Sequence, residues 1–574
     1  MLARSLNRLK KAAPAAFFVA LLSVTLASCT QLRTLFPSHD SITATGPAAV
    51  ATAHPAATQA ALDILQQGGN AFDAAIAASA ALAVVEPYGS GLGGGGFYLL
   101  HRASDGKDIM LDAREKAPLA AGRDMYLDKD GKVIPDASLN GPLAAGIPGI
   151  PAALAHLARD YGRLDLAQTL QPAIELAQQG FKVNAHYQRL ARFRNKAVAG
   201  IAREVFFPTG EVPQPGTIIR QPDLARTLEK IAATDAADFY TGETAKWLVA
   251  EVRENGGIWT AEDLAQYEVI EREPIRGEYR GSTIISASPP SSGGIVLLEM
   301  LNILSAFDLP AASPAQQVHL NVEAMRRAYR DRAEFLGDPD FVRIDVAGLL
   351  SASHAEALRQ TIGANATPSS QLPPVEVAEG RNTTHFSIID AEGNAVAATL
   401  SINYPFGCGF MPAGTGILLN NEMDDFSAKP GAPNVYGLVG GEANAIAPGK
   451  RPLSSMTPTF IINGNGFAAL GTPGGSRIIT MVLLAGEAFM HGDTEPKDWV
   501  SLPRYHHQYL PDEIQFEPGA LNGQLQNELR FRGHTLKELS RTYGNMQAVM
   551  RDSKGKLHTA SDPRGDGLAL IQPE

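Results

Sequence analysis

Between Ala71 and Val85 the chain carries one charge, Asp73, in fifteen consecutive residues. The segment comes after a first helical stretch, Ala56–Gln67, across Gly68-Gly69-Asn70, and it reads as a helix buried on most sides. Enclosing such a helix takes a large body, and the composition supplies one. Of 574 residues 45% are hydrophobic and 19% are charged, which excludes disorder as the main state. At roughly 100–200 residues per domain the length suggests about three or four domains, although single large α/β folds reach this size. The 55 glycines and 38 prolines follow no collagen-like period and point instead to many tight turns.

A glycine run C-terminal to the buried helix narrows the choice further. The chain passes through Glu86-Pro87 into Gly89-Ser90-Gly91-Leu92-Gly93-Gly94-Gly95-Gly96 and then the strand-like Phe97–Leu100. Positions 89, 91 and 94 satisfy GxGxxG, but a dinucleotide site needs strand, glycines, helix, and here the order is reversed. The run is therefore expected to be backbone packed too closely for any Cβ. There is no Walker A, HExxH, CxxC or GxSxG sequence, so no cofactor or metal is expected. Adjacent His506 and His507 would point to opposite faces of a strand and read as structural. A net charge of −11 and a pI near 5.7 remove the cationic surface that nucleic-acid binding needs.

The first residues read as an address. Arg4, Arg8, Lys10 and Lys11 precede the apolar run Ala12–Ala27, which contains Pro14 and is too short for a spanning helix. The run ends Leu26-Ala27-Ser28-Cys29, which resembles the bacterial lipobox. Residues 1–28 are thus expected to be a lipoprotein signal peptide, with Cys29 lipidated and residues 29–45 a tether. The protein would face the periplasm, on the outer membrane given Thr30 rather than Asp in a Gram-negative host, or the cell exterior. Removing four basic residues would bring the charge from −11 to −15. Cys408 would remain alone, so no intrachain disulfide is expected.

Residues 150–380 alternate helical stretches (Ala152–Ala158, Leu166–Gln178, Ala311–Leu336) with short strand-like pieces such as Thr283–Ser286. Thr367–Arg381, rich in Pro, Ser, Gln and Glu, reads as an exposed linker. Then Thr383–Asp390, the loop Ala391-Glu392-Gly393 and Asn394–Asn403 read as a hairpin. If Asp390 opposes Asn394, Thr384 faces Leu400, Phe386 faces Ala398 and Ile388 faces Val396 on one apolar surface. The other face carries Thr383, His385 and Ser387 on the first strand and Thr399, Ser401 and Asn403 on the second, with Ser401 across from Thr383. Ordinary strand hydroxyls would also explain that pattern.

The segment Asn382-Thr383-Thr384-His385-Phe386-Ser387 resembles the processing site of the γ-glutamyltranspeptidase family. Also similar to family segments are Gly68–Ala75, the glycine run, Asp112-Ala113-Arg114-Glu115, Pro289–Gly294, Pro452–Met456, Gly471–Arg477 and Ser561–Arg564, so that the resemblance covers nearly everything from residue 45 onward. It implies an N-terminal-nucleophile hydrolase: a four-layer αββα sandwich, mixed α/β, made as a precursor that cuts itself between Asn382 and Thr383. Residues 46–382 would form the large subunit and 383–574 the small catalytic one, intertwined as a heterodimer. Cleavage would free an α-amino group with an unperturbed pKa of about 7.7–8 beside the Thr383 hydroxyl, so one residue would be both nucleophile and base.

By the same resemblance Ser401 and Asn403 hydrogen-bond around the nucleophile, and Arg114 holds the α-carboxylate of a γ-glutamyl group. Glu422 and Asp425 bind the α-ammonium, Ser454 and Ser455 donate to the carboxylate, and the Gly474 and Gly475 amides cradle the oxyanion. Tyr436 would cover the pocket from a loop. The implied activity is cleavage of the γ-glutamyl amide of glutathione-like small molecules, with transfer to water, an amino acid or a peptide. A glutaryl or cephalosporin acylase of the same fold and a silent membrane-anchored binding protein are the alternatives.

Overall fold

The computed structural model describes residues 42–44, 47–369, 383–427, 429, 440–493 and 495–573. The uncharged helix is where the fold is organised. Asn70 caps Ala71–Val85 by accepting from the amides of Phe72 and Asp73, and Asp73 closes the capping box by accepting from the Asn70 amide at 2.9 Å. The Asp73 carboxylate also accepts from the Arg163 amide, so the helix's one charge is consumed at its end. All fifteen residues are buried, between neighbouring helices and the inner face of a sheet.

Two seven-stranded sheets form the centre. One runs, in order across the sheet, Leu568–Ile571, Ala49–Thr52, Thr384–Ile389, Ala395–Ser401, Gly95–Arg102, Lys107–Ala113 and Ile270–Arg272. The other runs Ile42–Ala44, Leu557–Ser561, Gln547–Asp552, Gly466–Gly471, Thr459–Asn463, Ser282–Ser286 and Ile275–Tyr279. Every pairing in both is antiparallel. Three apolar cores separate the layers. Phe386, Ile388, Val396 and Leu100 pack with helices Pro55–Gln66 and Ala71–Val85. Ala397, Leu99, Ile285, Phe460 and Val549 fill the space between the sheets. Ile284, Ile461 and Met550 pack with helices Gly293–Leu304, Pro314–Phe335 and Arg477–Met490. Helix, sheet, sheet, helix is the expected αββα sandwich. A length that suggests several domains is here spent on one unit, Ser41–Glu574, because the two sheets share a core.

The glycine run behaves as its composition requires. A Cβ on Gly94 would lie 2.1 Å from the Ser401 carbonyl oxygen, and one on Gly96 would lie 2.4 Å from that of Thr399. Both strands can approach only because neither position has a side chain. Across that contact the hairpin register is as expected: Thr384 opposite Leu400, Phe386 opposite Ala398 and Ile388 opposite Val396. Gly393 closes the loop at φ 95°. The hairpin's polar face is buried against the second sheet, where His385 bonds Thr399 and Ser387.

Two expected boundaries move. Ile42–Ala44 pairs with Leu557–Thr559, so the tether read to Thr45 ends in a strand. Thr367 and Ser369 are not exposed linker: Thr367 bonds Glu323 through its amide and hydroxyl, and the Ser369 amide donates to Asp512. Short polar side chains read as loop from composition; buried carboxylates that need donors hold them in place. His506 and His507 engage different partners, Thr480 and Gln508 for the first, Asp512 and the Tyr509 amide for the second. Among the described residues no helix is long and apolar enough to cross a membrane.

Candidate active site

Thr383 stands one residue before the strand Thr384–Ile389, at the point where two cavities meet. It is 9% exposed, and its hydroxyl makes no hydrogen bond to a described residue. The first cavity holds about 320 Å³ of free space. It brings together Thr383, Ser401, Asn403, Glu422, Asp425, Ser454, Ser455 and Gly475, all singled out in the sequence, and adds Arg332. The second, about 800 Å³, is lined by Thr383, Gly474, Glu86, Tyr88, His186, Arg189, Arg541 and neighbours.

Each wall has a local cause. Asn403 sits at φ 67° and donates its amide to the Ser401 Oγ at 2.6 Å, which turns the chain out of the strand beside Thr383. Ser454 is strapped to the loop before Gly293–Leu304, its carbonyl accepting from the Ser292 amide and hydroxyl at 2.9 and 2.7 Å. Asn420 ties the acidic turn Glu422–Asp425 to the glycine run, donating to the Gly93 carbonyl at 2.7 Å while accepting from the Glu422 amide at 2.9 Å. Gly474 and Gly475 precede helix Arg477–Met490 at φ 149° and 57°, conformations that favour glycine, and their amide N–H groups donate to no described residue. Paired N–H groups at a helix start suit a developing negative charge.

The first cavity is an ionic site lined by buried charges. Arg114 is fully buried and bonds Glu422 and Asp425, with Glu115 3.5 Å away and the Pro452 carbonyl at 3.2 Å. Burial opposes its charge, yet Glu422, Asp425 and Glu115 together raise its pKa. Burial pushes Glu422 well above the carboxylate range, raises Asp425, and lifts Glu115 to about 7. Glu422 Oε2 has no hydrogen-bond partner among the described residues. Arg332 is 4% exposed; its guanidinium bonds the Ser292 and Ser455 hydroxyls and, among the described residues, no carboxylate, and burial brings it down to about 10. The cavity therefore offers an orphan carboxyl oxygen and a guanidinium that, among the described residues, is hydrogen-bonded by serines, complementary to a zwitterion.

Arg114 departs from expectation: it lines neither cavity but lies behind Glu422 and Asp425. A guanidinium with three carboxylates in reach is neutralised by them rather than left facing a cavity. Gly474 and Gly475 are divided, one to each cavity. Asn382, Tyr436 and Cys29 lie outside the described residues. Sequence reasoning missed Arg332 and Glu86. The first is one of four arginines between 326 and 332 with nothing in its spacing to mark it, and the second read only as a helix end. Glu86 accepts from Thr384 at 2.7 Å and Tyr88 at 3.1 Å, and burial lifts it to about 7.

Two apposed antiparallel sheets between helical layers, with a threonine, just before a central strand, that lines one cavity with Gly475 and another with Gly474, define an N-terminal-nucleophile hydrolase. The family model described as gamma-glutamyltranspeptidase matches residues 57–571, and the chain belongs to that family. It is 43% identical over 524 residues to the glutathione hydrolase proenzyme of Escherichia coli (strain K12), covering 90% of each chain. It is 35% identical to that of Bacillus subtilis (strain 168), covering 91% of each. Among solved structures it is similar to the cephalosporin acylase from Bacillus halodurans, with a TM-score of 0.81 at 29% identity over 92% of this chain and 96% of that one. The Helicobacter pylori gamma-glutamyltranspeptidase matches with a TM-score of 0.54 at 41% identity, covering 56% of this chain and 93% of that one.

Proposed function

We propose that the enzyme cleaves the γ-glutamyl amide of glutathione and related compounds and passes the acyl group to water or to an amino acid or peptide. The observation that carries this reading is the junction at Thr383, with Gly475 and the zwitterion-complementary cavity on one side and Gly474 and an open cleft on the other. The donor's α-ammonium would lie against Glu422 and Asp425, and its α-carboxylate against Ser454, Ser455 and Arg332. Arg114 would act from behind by holding the two carboxylates in place. A cephalosporin acylase shares the fold, but a glutaryl donor has no ammonium to meet the orphan oxygen of Glu422.

The precursor cuts between Asn382 and Thr383, and the freed α-amino group takes the proton from Thr383 Oγ as it attacks the γ-carbonyl. Gly474 and Gly475 donate to the resulting oxyanion. The C–N bond breaks, the amine leaves with a proton, and the γ-glutamyl ester of Thr383 remains for water or a second amine to attack. The relatives' name, proenzyme, and the H. pylori chain that matches only 56% of this one both support processing into two chains. The mature fragments would hold 354 and 192 residues. Tyr436 would cover the donor, and Cys29 would carry lipid that anchors the enzyme at the periplasmic or outer face of a membrane.

Incubating purified protein with γ-glutamyl and glutaryl anilides, with and without glycylglycine, tests the activity; turnover of the glutaryl donor alone would overturn it. For the anchor, wild type should take up labelled fatty acid and Cys29→Ser should not.

A further inference from the structure

The second cavity is more than an exit. Its one arginine with full carboxylate partners is Arg564, held by Glu517 and Asp562. Arg189 bonds only the His186 Nδ1, at 2.9 Å, and Arg541 makes no hydrogen bond or ion pair among the described residues. Burial holds His186 down at about 3, so its ring is neutral and can accept from Arg189. Burial and the neighbouring Arg541 lower the pKa of Arg189, while Asp566 and Tyr88 act the other way. Glu86, the carboxyl group in the cleft wall, is engaged by Thr384 and Tyr88. Two guanidiniums thus line one cleft that opens at the nucleophile, with no carboxylate among the described residues bonded to either.

A cleft so charged recruits an anion, and its position decides which one. It adjoins Thr383 and the Gly474 side of the oxyanion pair, away from the residues that suit the donor's zwitterionic end. What must lie there is the amine side of the amide: the amino acid or peptide that departs, and later the one that attacks. We propose that Arg189 and Arg541 form a carboxylate seat for that amine component, so that the enzyme selects leaving groups and acceptors ending in a free carboxylate. This rests on the γ-glutamyl-transfer reading and adds a selectivity that reading does not require. In the transfer step the acceptor's neutral amine forms the new C–N bond, the C–Oγ bond of the Thr383 ester breaks, and the amine's proton returns to Oγ through the Thr383 α-amino group. The same guanidiniums disfavour a protonated acceptor amine and so favour its nucleophilic form.

The test compares glycylglycine with glycylglycinamide as acceptors of a γ-glutamyl anilide, each variant normalised to its own hydrolysis of the anilide without acceptor. Wild type should favour the free acid in kcat/KM on the order of tenfold or more. Arg189→Ala/Arg541→Ala should bring that ratio near one, Arg541→Glu should favour the amide, and the two Arg→Lys variants should keep part of the preference. Equal use of both acceptors by wild type, or an unchanged ratio in the double variant, would overturn the proposal. A wild type that releases no anilide would instead overturn the activity on which it rests.

Discussion

At the first cavity the charges hold one another: Arg114, Glu115 and Glu422 are buried, and Asp425 bonds Arg114 from the cavity wall. At the second, larger cleft the charges stand at the surface, and Arg189 and Arg541 are exposed. The two faces of one nucleophile should therefore discriminate with different force. A buried charge that loses its partner costs several kcal/mol, whereas a charge at a solvated rim is screened. The first cavity suits strict recognition of a single donor end; the second suits graded choice among many amines.

The largest effect should come at the junction itself. Thr383→Ala removes the hydroxyl both sides need and should give one uncut, inactive chain on denaturing gels. A variant still cut at the same bond would show that another group processes the precursor. Next is the buried side. Asp425→Asn should cost about 2–5 kcal/mol, roughly 30-fold to several thousand-fold in kcat/KM, on a γ-glutamyl anilide. A glutaryl anilide keeps a terminal carboxylate but has no ammonium, so its turnover should change little. Equal losses on the two donors, with self-cleavage intact, would mean that Asp425 serves only to hold Arg114.

Arg332→Gln sharpens the contrast within the same cavity. It should lower kcat/KM on the order of 10- to 100-fold for both donors, because both present a carboxylate. A loss confined to the γ-glutamyl donor would place Arg332 elsewhere. The smallest effect is expected at Glu86, beside the open cleft. Its pKa in the fold, about 7, stands above the ordinary 4.5. Its contribution to stability is thus full below pH 4.5 and is lost as pH rises to about 7, up to about 3 kcal/mol. Glu86→Gln should flatten that part of the melting-temperature profile, a difference of a few degrees; parallel profiles would put the titrating group elsewhere.

Much of this contrast was legible in the chain before folding. The buried helix Ala71–Val85, the hairpin register and the crowding at Gly94–Gly96 are local or nearest-strand properties, governed by spacing and by the absence of a Cβ. Motif resemblance found Thr383 and most of the first cavity's lining, since those residues lie in short contiguous segments. It gave Arg114 the donor's α-carboxylate, whereas the structure buries it against Glu422 and Asp425. Thr367 and Ser369 failed as linker for a related reason: their partners, Glu323 and Asp512, are 44 and 143 residues away.

The sequence alone determined the helix that must be enclosed, the hairpin that bears the nucleophile, and the residue types around it, because hydrophobic period and glycine sterics act over a few residues. Only the tertiary structure decided which charges neutralise one another. Arg114, Glu422 and Arg332 come from segments far apart in the chain, and which guanidinium is silenced and which is left facing the cavity depends on ångström separations in a medium that screens poorly. The division of Gly474 from Gly475 between two cavities is set in the same way, by the packing of a helix start against a strand edge that no local pattern describes.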